Sequence, residues 1–371
     1  MGSKNKIIRH LAKRSLKVFS SFVQFSDYAF RPSVIFLVIN SRCNLHCKMC
    51  DVGQNESNSQ FYKIMKRDKT ELELPRLKEL ISEVKKFKPL IAITSTEPLL
   101  YKNLLQFSDY VIKKGLKLQI TTNGFLLERF ADDFVKIGLH KLWVSLDGPP
   151  EIHNYIRGHP KSFENAYKGI EKVELAKERL HKNYPEIYIN YAISNYNYDC
   201  LSKFMESIKN LPVKSITFSH MNYITEEMAK KHNKLFGNIC RATASSVKDA
   251  YPRKVDAKIL FQEIESVKKR YSDKIFVGPN LKNEDEIRIY YQKPEIFIAG
   301  DRCLTPWKVS QILANGDVVT MTRCFDVVLG NIYENSFREI WNGEKSRAWR
   351  KTLRKYKAFP TCSRCCGIFN K

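Results

Sequence analysis

Apolar runs alternate with amphipathic segments over residues 34–220, and this alternation constrains the fold more than any other feature of the sequence. Six short apolar runs predict strands at 34–40, 90–95, 117–123, 141–147, 186–194 and 215–220. The segments between them show helical periodicity, at 75–87, 103–115, 127–137, 162–182 and 199–210. Strands that alternate with helices predict right-handed βαβ units around a parallel sheet.

Polar or reactive residues follow directly on these predicted strands. They are Cys43, Glu97, Asn123, Ser145, Asn195 and Met221. In parallel α/β folds, ligands and chemistry collect at the carboxyl ends of the strands. We therefore expect the functional site at this end of the sheet.

The rest of the chain predicts a connecting region and then a small α+β domain. Residues 223–300 suggest helices at about 226–246 and 256–270, a short strand in "KIFVGP" and a helix at 284–292. The stretch 309–322 predicts a hairpin with Asn315-Gly316 at its turn, and 336–356 predicts a helix. These patterns divide the chain into residues 1–31, 32–222, 223–300 and 301–371.

A basic amphipathic helix is predicted at 4–28, ended by Arg31-Pro32. We expect it to pack on the following domain, and peripheral contact with a membrane surface is the alternative. The segment lacks the apolar core and cleavage site of a signal peptide, and no window approaches the ~20 apolar residues of a membrane span. The net charge of +24 comes from dispersed basic residues, so no nucleic-acid partner is expected.

Most of the ten cysteines fall into two groups, and clustered cysteines in a reducing compartment usually bind metal. Because neither a signal peptide nor a membrane span is predicted, we expect a cytoplasmic protein. The first group, Cys43, Cys47 and Cys50, has the spacing CxxxCxxC after the first predicted strand. A structural zinc site needs four ligands, and His46, next to Cys47, is poorly placed to be the fourth. Three thiolates instead suit an iron–sulfur cluster with one open iron position.

The cysteine motif and three later motifs resemble those of the radical SAM family. "STEPLL" (95–100) stands where that family usually has "GGEPLL", and "TTNG" (121–124) and "VSLDGPPEIHNYIRG" (144–158) follow in the family's order. The resemblance implies an α/β fold, a partial (β/α)6 TIM-like barrel with a small C-terminal α+β iron–sulfur domain. It also implies that a [4Fe-4S] cluster on the three cysteines binds S-adenosylmethionine (SAM) through its open iron. Reductive cleavage of SAM would then give a 5′-deoxyadenosyl radical that abstracts a substrate hydrogen.

The same resemblance implies the cofactor contacts. Ser95, Thr96 and Glu97 would lie at the SAM amino group, Ser145 and Arg157 at its carboxylate, Met221 near its adenine, and Asn123 is a further cofactor-binding candidate. An arginine fork can satisfy both oxygens of a carboxylate. The chain departs from the family where Ser95 and Thr96 replace two glycines and where Met49 stands in place of a commoner aromatic residue. No catalytic acid, base or hydrogen donor is singled out.

The second group of cysteines resembles the SPASM/Twitch extension of the same family. The family's order is matched by Cys303, Trp307, the "NGDV" turn (315–318), Cys324, "LGNIYENSFREIW" (329–341), Cys362 and Cys365. The resemblance implies one auxiliary [4Fe-4S] cluster held by Cys303, Cys324, Cys362 and Cys365, with Cys366 as an extra thiol that could replace Cys365. A structural zinc site made of the same four thiolates is the alternative.

Together the motifs imply a radical SAM oxidoreductase or maturase of the SPASM/Twitch type. The expected substrate is a peptide or protein, with a sugar or another small molecule as the alternative. The expected electron donor is a flavodoxin or a ferredoxin. A basic zinc-binding protein that docks on nucleic acid is a more distant hypothesis, because it leaves the barrel motifs without a role.

Overall fold

The computed structural model describes residues 26–66, 71–248, 250–320 and 325–369, and ten strands in these ranges form one sheet. The strands are β1 (Val34–Leu37), β2 (Leu90–Ile93), β3 (Leu118–Thr122), β4 (Lys141–Ser145), β5 (Glu186–Ile193), β6 (Ser215–His220), β7 (Ile275–Gly278), β8 (Val309–Ile312), β9 (Asp317–Val319) and β10 (Val328–Asn331). Their spatial order is β10-β9-β8-β1-β2-β3-β4-β5-β6-β7. The six predicted strands are confirmed as parallel neighbours, β1 to β6.

Helices connect the parallel strands, as the alternation predicts. The described helices are α1 (Gln60–Met65), α2 (Leu74–Val84), α3 (Leu104–Lys113), α4 (Ala131–Ile137), α5 (Pro150–Arg157), α6 (Ser162–Arg179), α7 (Leu201–Ser207), α8 (Glu226–Phe236), α9 (Ala257–Tyr271), α10 (Glu284–Gln292), α11 (Thr305–Lys308), α12 (Phe337–Asn342), α13 (Glu344–Tyr356) and α14 (Cys366–Phe369). Each longer helix buries one apolar stripe; in α2 this stripe is Leu77, Leu80, Ile81 and Val84.

Alternation along the strands separates structural side chains from those that face the functional site. β5 alternates half-buried and buried residues along its whole length. Ile187, Ile189 and Ile193 belong to the packed core, whereas Asn190 and Ala192 on the other face line a cavity. The parallel sheet therefore has one face packed on helices and one face open to a ligand.

Three stretches differ from the sequence predictions. The helix predicted at 226–246 ends at Phe236, since the residues that follow make non-helical hydrogen bonds, such as those between Asn233 and the backbone of Ala242. The helix predicted at 336–356 is two helices, separated at Gly343, which has extended backbone angles (ψ 171°). The short helices α1 and α5 are not predicted from the sequence.

Two more parallel strands, β7 and β8, extend the sheet at the two ends of the run from β1 to β6. β7, from the connecting region, pairs in parallel with β6, and β8 pairs in parallel with β1. β8 and β9 form the predicted hairpin, with Gly316 at φ 90° in its turn. The cysteine-rich C-terminal part therefore continues the sheet beside β1, the strand that precedes the first cysteines.

The segment before β1 is fastened to the C-terminal helices. Trp307 Nε1 donates to the Ser26 carbonyl (2.9 Å), and the Asn342 side chain exchanges two hydrogen bonds with the Ala29 backbone. Arg347 forms an ion pair with Asp27 (3.1 Å). Residues 1–25, which hold most of the helix predicted at 4–28, lie outside the described residues. No helix within the described ranges is long and apolar enough to cross a membrane.

Candidate active site

The first three cysteines and the predicted cofactor contacts line one cavity of about 510 Å³ at the carboxyl ends of the strands. Its wall contains Cys43, Cys47, Cys50, Ser95, Thr96, Glu97, Asn123, Ser145, Arg157 and Met221. Asn195 lies outside this wall, where its side-chain oxygen accepts a hydrogen bond from the Tyr251 amide (3.0 Å). The volume lies within the usual range of small-molecule sites.

The loop that carries the first cysteines is packed tightly over α5. The Lys48 amide donates to the Ile156 carbonyl (2.9 Å), and a Cβ at Gly158 would lie 2.9 Å from the His46 carbonyl oxygen. A Cβ at Gly53 would lie 2.7 Å from the Cys47 backbone nitrogen. Only glycine permits both approaches, so these two positions hold the three thiols at the cavity.

Asp51, directly after Cys50, anchors the same loop to the segment that follows α8. Its buried carboxylate accepts hydrogen bonds from Ser59 Oγ (2.5 Å), Ser245 Oγ (2.6 Å) and the Ser246 amide (2.7 Å). Ser245 itself lines the cavity. The sequence analysis missed Asp51, because its partners Ser245 and Ser246 are almost two hundred residues away.

Burial controls the charge of the thiols. It raises the pKa of Cys47 to about 12 and also raises the pKa of Cys43, while the Arg157 guanidinium opposes both shifts. Arg157 Nη1 lies 3.7 Å from Cys47 Sγ, where it can donate to a thiolate. Buried thiolates of this kind need a cation or a metal beside them.

The three thiols of the first group face one cavity, a placement compatible with a [4Fe-4S] cluster. Within the described residues, no group of three or more His, Cys, Asp or Glu side chains is placed to hold one metal ion. Each cysteine of a [4Fe-4S] cluster binds a separate iron, so thiols spread around one cavity suit it.

Glu97 ties the ends of three strands together from a fully buried position. Its carboxylate accepts hydrogen bonds from the Leu99 amide (3.0 Å), Thr122 Oγ1 (2.7 Å) and the Asn123 amide (2.8 Å). Its carbonyl accepts from Asn40 Nδ2 (3.0 Å), after β1. Burial raises the pKa of Glu97, and the three donors oppose that shift. The Glu97 carboxylate at the base of the cavity is therefore already occupied by hydrogen bonds from the protein itself.

Ser95 has a backbone conformation that disfavours any residue with a side chain. Its φ is 93°, and the residue is exposed to the cavity. The neighbouring Thr96 donates from Oγ1 to the Asn40 carbonyl (2.5 Å). A positive φ explains why glycine suits position 95, and strain of this kind concentrates at functional sites.

Arg157, whose side chain is 12% exposed, forms an ion pair with the fully buried Asp147 that the sequence analysis did not anticipate. Its Nη2 lies 2.5 Å from Asp147 Oδ2, and Asp147 Oδ1 accepts from the Ala192 amide (2.9 Å). Burial raises the pKa of Asp147, and Arg157 opposes that shift. Arg157 Nε has no hydrogen-bond partner among the described residues, so one buried donor remains for an anionic ligand. The signal in the sequence was an acid two residues beyond Ser145.

A polar but uncharged wall lies at the ends of β5 and β6. Asn190 Oδ1 accepts from Ser219 Oγ (2.9 Å), and His220 Nδ1 lies 2.9 Å from the Tyr291 hydroxyl. Within the described residues, His220 Nε2 and Asn222 Oδ1 are buried without a partner. Burial lowers the pKa of His220 to about 3, so its imidazole is neutral at physiological pH. The cavity is lined by Asn190, Ser219, His220 and Asn222, and none of these four was predicted as a site residue.

Two of the C-terminal cysteines lie at the same cavity, and two others lie near them in the chain or in space. An added Cβ at Gly367 would be 3.5 Å from Cys303 Sγ and 3.6 Å from Cys365 Sγ, so these two thiols are close together. The Cys365 amide donates to the Cys362 carbonyl (3.0 Å), which places both residues in one turn. Cys365 and Cys366 both line the cavity. Cys324 lies outside the described residues.

Two family models match the chain. The model described as the radical SAM superfamily matches residues 37–208, and the model described as the SPASM iron–sulfur cluster-binding domain matches residues 303–366. The first match covers β1 to β6 up to α7, and the second covers the hairpin and the C-terminal cysteines.

Similar curated proteins include members with different stated activities. The Fe-coproporphyrin III synthase of Methanosarcina barkeri is 26% identical over 56% of this chain and 48% of its own length. A tungsten-containing aldehyde ferredoxin oxidoreductase cofactor-modifying protein of Pyrococcus furiosus is 22% identical over 89% of this chain and 86% of its length. A probable GTP 3′,8-cyclase of Methanococcus vannielii is 30% identical over 54% of this chain and 67% of its own length. The chain thus spans only about half of the first of these relatives.

Solved structures share the fold across most of the chain. Streptococcus suis SuiB bound to S-adenosylmethionine has a TM-score of 0.62 and 12% identity, over 96% of this chain and 77% of that chain. Native anSMEcpe with bound AdoMet has a TM-score of 0.58 and 17% identity, over 88% of each chain. The two family models and the relative of 30% identity show that the chain belongs to the radical SAM superfamily with a C-terminal SPASM domain, and its cofactors are S-adenosylmethionine, a [4Fe-4S] cluster and auxiliary iron–sulfur clusters.

Proposed function

We propose that this radical SAM enzyme modifies a peptide or protein, by oxidation or a related change. When bound by Cys43, Cys47 and Cys50, the [4Fe-4S] cluster supplies the electron that cleaves SAM to a 5′-deoxyadenosyl radical, which abstracts a substrate hydrogen. The observation that carries the proposal is that these thiols and the SAM-type motifs line one cavity.

The chain's own residues would orient SAM in this cavity. Arg157 Nε is a buried donor without a partner, and Ser145 lies at the end of β4, so both are available for the SAM carboxylate. Because the Glu97 carboxylate is occupied, the amino group would be left to Ser95, Thr96 and backbone carbonyls. Asn123 would act indirectly, since its Nδ2 donates to Asn44 in the cysteine loop (2.9 Å).

The neutral wall supports a substrate group that forms hydrogen bonds but carries no charge. His220 Nε2 and Asn222 Oδ1 are without partners among the described residues, and both suit an amide. The two arginines that line the cavity, Arg157 and Arg364, are largely engaged by protein groups. Phosphates or carboxylates of a substrate would need free cations there. SuiB bound to the precursor peptide SuiA and anSMEcpe bound to a peptide share this fold, which also favours a peptide.

A sugar or another small molecule is the second candidate, because the same neutral groups can bind hydroxyls. A flavodoxin or ferredoxin is the proposed electron donor. The zinc-binding, nucleic-acid-associated hypothesis gains no support from the family match.

Anaerobic reconstitution with iron and sulfide tests the proposal. We expect about eight irons per chain if both cysteine groups hold a [4Fe-4S] cluster, and dithionite-dependent formation of 5′-deoxyadenosine from SAM. Cys47→Ala should abolish this formation. Cys240→Ala is the matched control, because Cys240 is an equally buried thiol outside both groups. Zinc in place of iron, without SAM cleavage, would contradict the proposal.

The substrate class is tested by hydrogen transfer. Deuterated peptides and deuterated sugars are each incubated with the reconstituted enzyme and SAM, and deuterium in 5′-deoxyadenosine is measured by mass spectrometry. We expect transfer from a peptide. Transfer from a sugar alone would favour the second candidate.

A further inference from the structure

Arg364 lies between Cys362 and Cys365 in the sequence and is 1% exposed. Its guanidinium donates to five carbonyl oxygens. They belong to Tyr290 (2.6 Å), Ile296 (2.8 Å), Ser363 (2.9 Å), Ile289 (2.9 Å) and Lys293 (2.9 Å). The carbonyls of Ile289 and Tyr290 belong to the last turn of α10 and that of Lys293 directly follows it, so the side chain closes the carboxyl end of that helix.

The positive charge of Arg364 is held by dipoles and not by a counter-ion. Within the described residues, no Asp or Glu oxygen lies within 4.0 Å of its guanidinium nitrogens. The Tyr290 ring lies 4.7 Å from the guanidinium carbon and adds a cation–π contact. Arginine remains protonated even when buried, so a net positive charge persists at this position.

This charge lies next to the thiols of the second cysteine group. The same cavity is lined by Arg364, Cys365 and Cys366. Arg364 Nη1 donates a hydrogen bond to the carbonyl of Ser363 in its own turn. Arg364 ends the short helical turn Pro360–Arg364, which contains Cys362 and is directly followed by Cys365. The guanidinium and the cysteines therefore share one buried, low-dielectric environment.

We propose that Arg364 raises the reduction potential of the auxiliary cluster whose proposed ligands include Cys303, Cys362 and Cys365. Reduction adds one negative charge to a cluster that is already ligated by thiolates, and a fixed cation in a low-dielectric site stabilises the added charge. The inference rests on the proposed assignment of these cysteines as ligands. A cluster biased toward its reduced state suits an enzyme whose reaction is a net oxidation.

A redox titration followed by electron paramagnetic resonance tests the inference. The parent is the full chain with Cys43, Cys47 and Cys50 replaced by Ala, so that only the auxiliary cluster contributes a signal. Arg364→Gln removes the charge and should shift the midpoint to a more negative potential. Arg364→Lys keeps the charge and should shift it less.

Arg350→Gln is the matched control. Arg350 is also 1% exposed, donates to the carbonyls of Pro306 and Trp341, and lies over the Trp341 ring (4.6 Å). Asp27 lies close enough to offset its charge. The control should leave the midpoint unchanged. An equal midpoint in Arg364→Gln and Arg350→Gln would overturn the inference while leaving the ligand assignment intact.

A second pair of variants keeps the test decisive if Arg364→Gln does not fold. Ile296→Asp adds a negative charge on a residue whose backbone carbonyl accepts from the Arg364 guanidinium, and should also lower the midpoint. Ile259→Asp is its control, since the two isoleucines are 41% and 40% exposed. Equal midpoints in this pair would overturn the inference. A parent without iron at this site would overturn the ligand assignment, and the inference with it.

Discussion

Single residues around the cavity combine strain, burial and charge in ways that the motifs alone do not show. The sequence analysis identifies Ser95 as a departure from the family, and the structure gives the physical reason, a φ of 93°. It does not identify Asp147 or His220, because their roles depend on partners in other elements, Arg157 and Tyr291. Motif spacing predicts which residues lie at strand ends, but not which side chains remain without a partner.

Ser95→Gly should raise the midpoint temperature of thermal unfolding. Glycine adopts a positive φ without penalty, so the gain is about 1 kcal/mol. The measurement is thermal unfolding of the metal-free protein, monitored by circular dichroism. Thr96→Gly is the control and should lower the midpoint, because it removes the hydrogen bond to the Asn40 carbonyl. A lower midpoint for Ser95→Gly would show that position 95 is not strained.

His220 should make the folded state sensitive to acid. Its folded pKa, about 3, lies below the unfolded value of about 6.5, so only the unfolded state binds a proton between these values. Stability is therefore lost as pH falls below about 6.5. His220→Gln should show a smaller fall in midpoint temperature than wild type between pH 7.5 and pH 5.5. An equal fall in both proteins would contradict the assignment of a neutral, buried imidazole.

Elements are predicted well where the pattern is local and poorly where distant contacts decide. The strands β1 to β6 are confirmed as predicted. Their apolar side chains, which the local sequence already shows, belong to the packed core. The sequence analysis extended α8 to residue 246, but the helix ends at Phe236. The segment that follows is held instead by hydrogen bonds to Asp51, which is far away in the chain. The break at Gly343 had a local signal, the glycine itself.

The ion pair between Asp147 and Arg157 joins the end of β4, the end of α5 and the Ala192 amide in β5. Asp147→Asn should destabilise the protein by about 3 kcal/mol, because it leaves a buried guanidinium without a counter-ion. Chemical unfolding of the metal-free protein measures this loss. Asp132→Asn is the matched control, since its ion pair with Arg179 is solvent-exposed and should matter little. Equal losses in the two variants would contradict the importance of the buried pair.

At the scale of the whole molecule, one sheet brings the first three cysteines and two cysteines of the second group to one cavity. β8 pairs with β1, so the SPASM domain lies beside the strand that precedes the first cysteines. The sequence predicts both groups of cysteines, but it does not predict that they lie close together in space. That proximity depends on the pairing of β8 with β1, which joins residues that are far apart in the chain. The first three cysteines and Cys365 and Cys366 therefore line a common cavity.

The central claim is that Cys43, Cys47 and Cys50 hold a cluster whose remaining iron position is open to SAM. The most direct test is electron paramagnetic resonance of the reduced cluster, with and without SAM, in a variant whose auxiliary ligands Cys303 and Cys362 are replaced by Ala. We predict a cluster signal that changes when SAM is added. An unchanged signal, or the absence of a cluster in this variant, would contradict the claim.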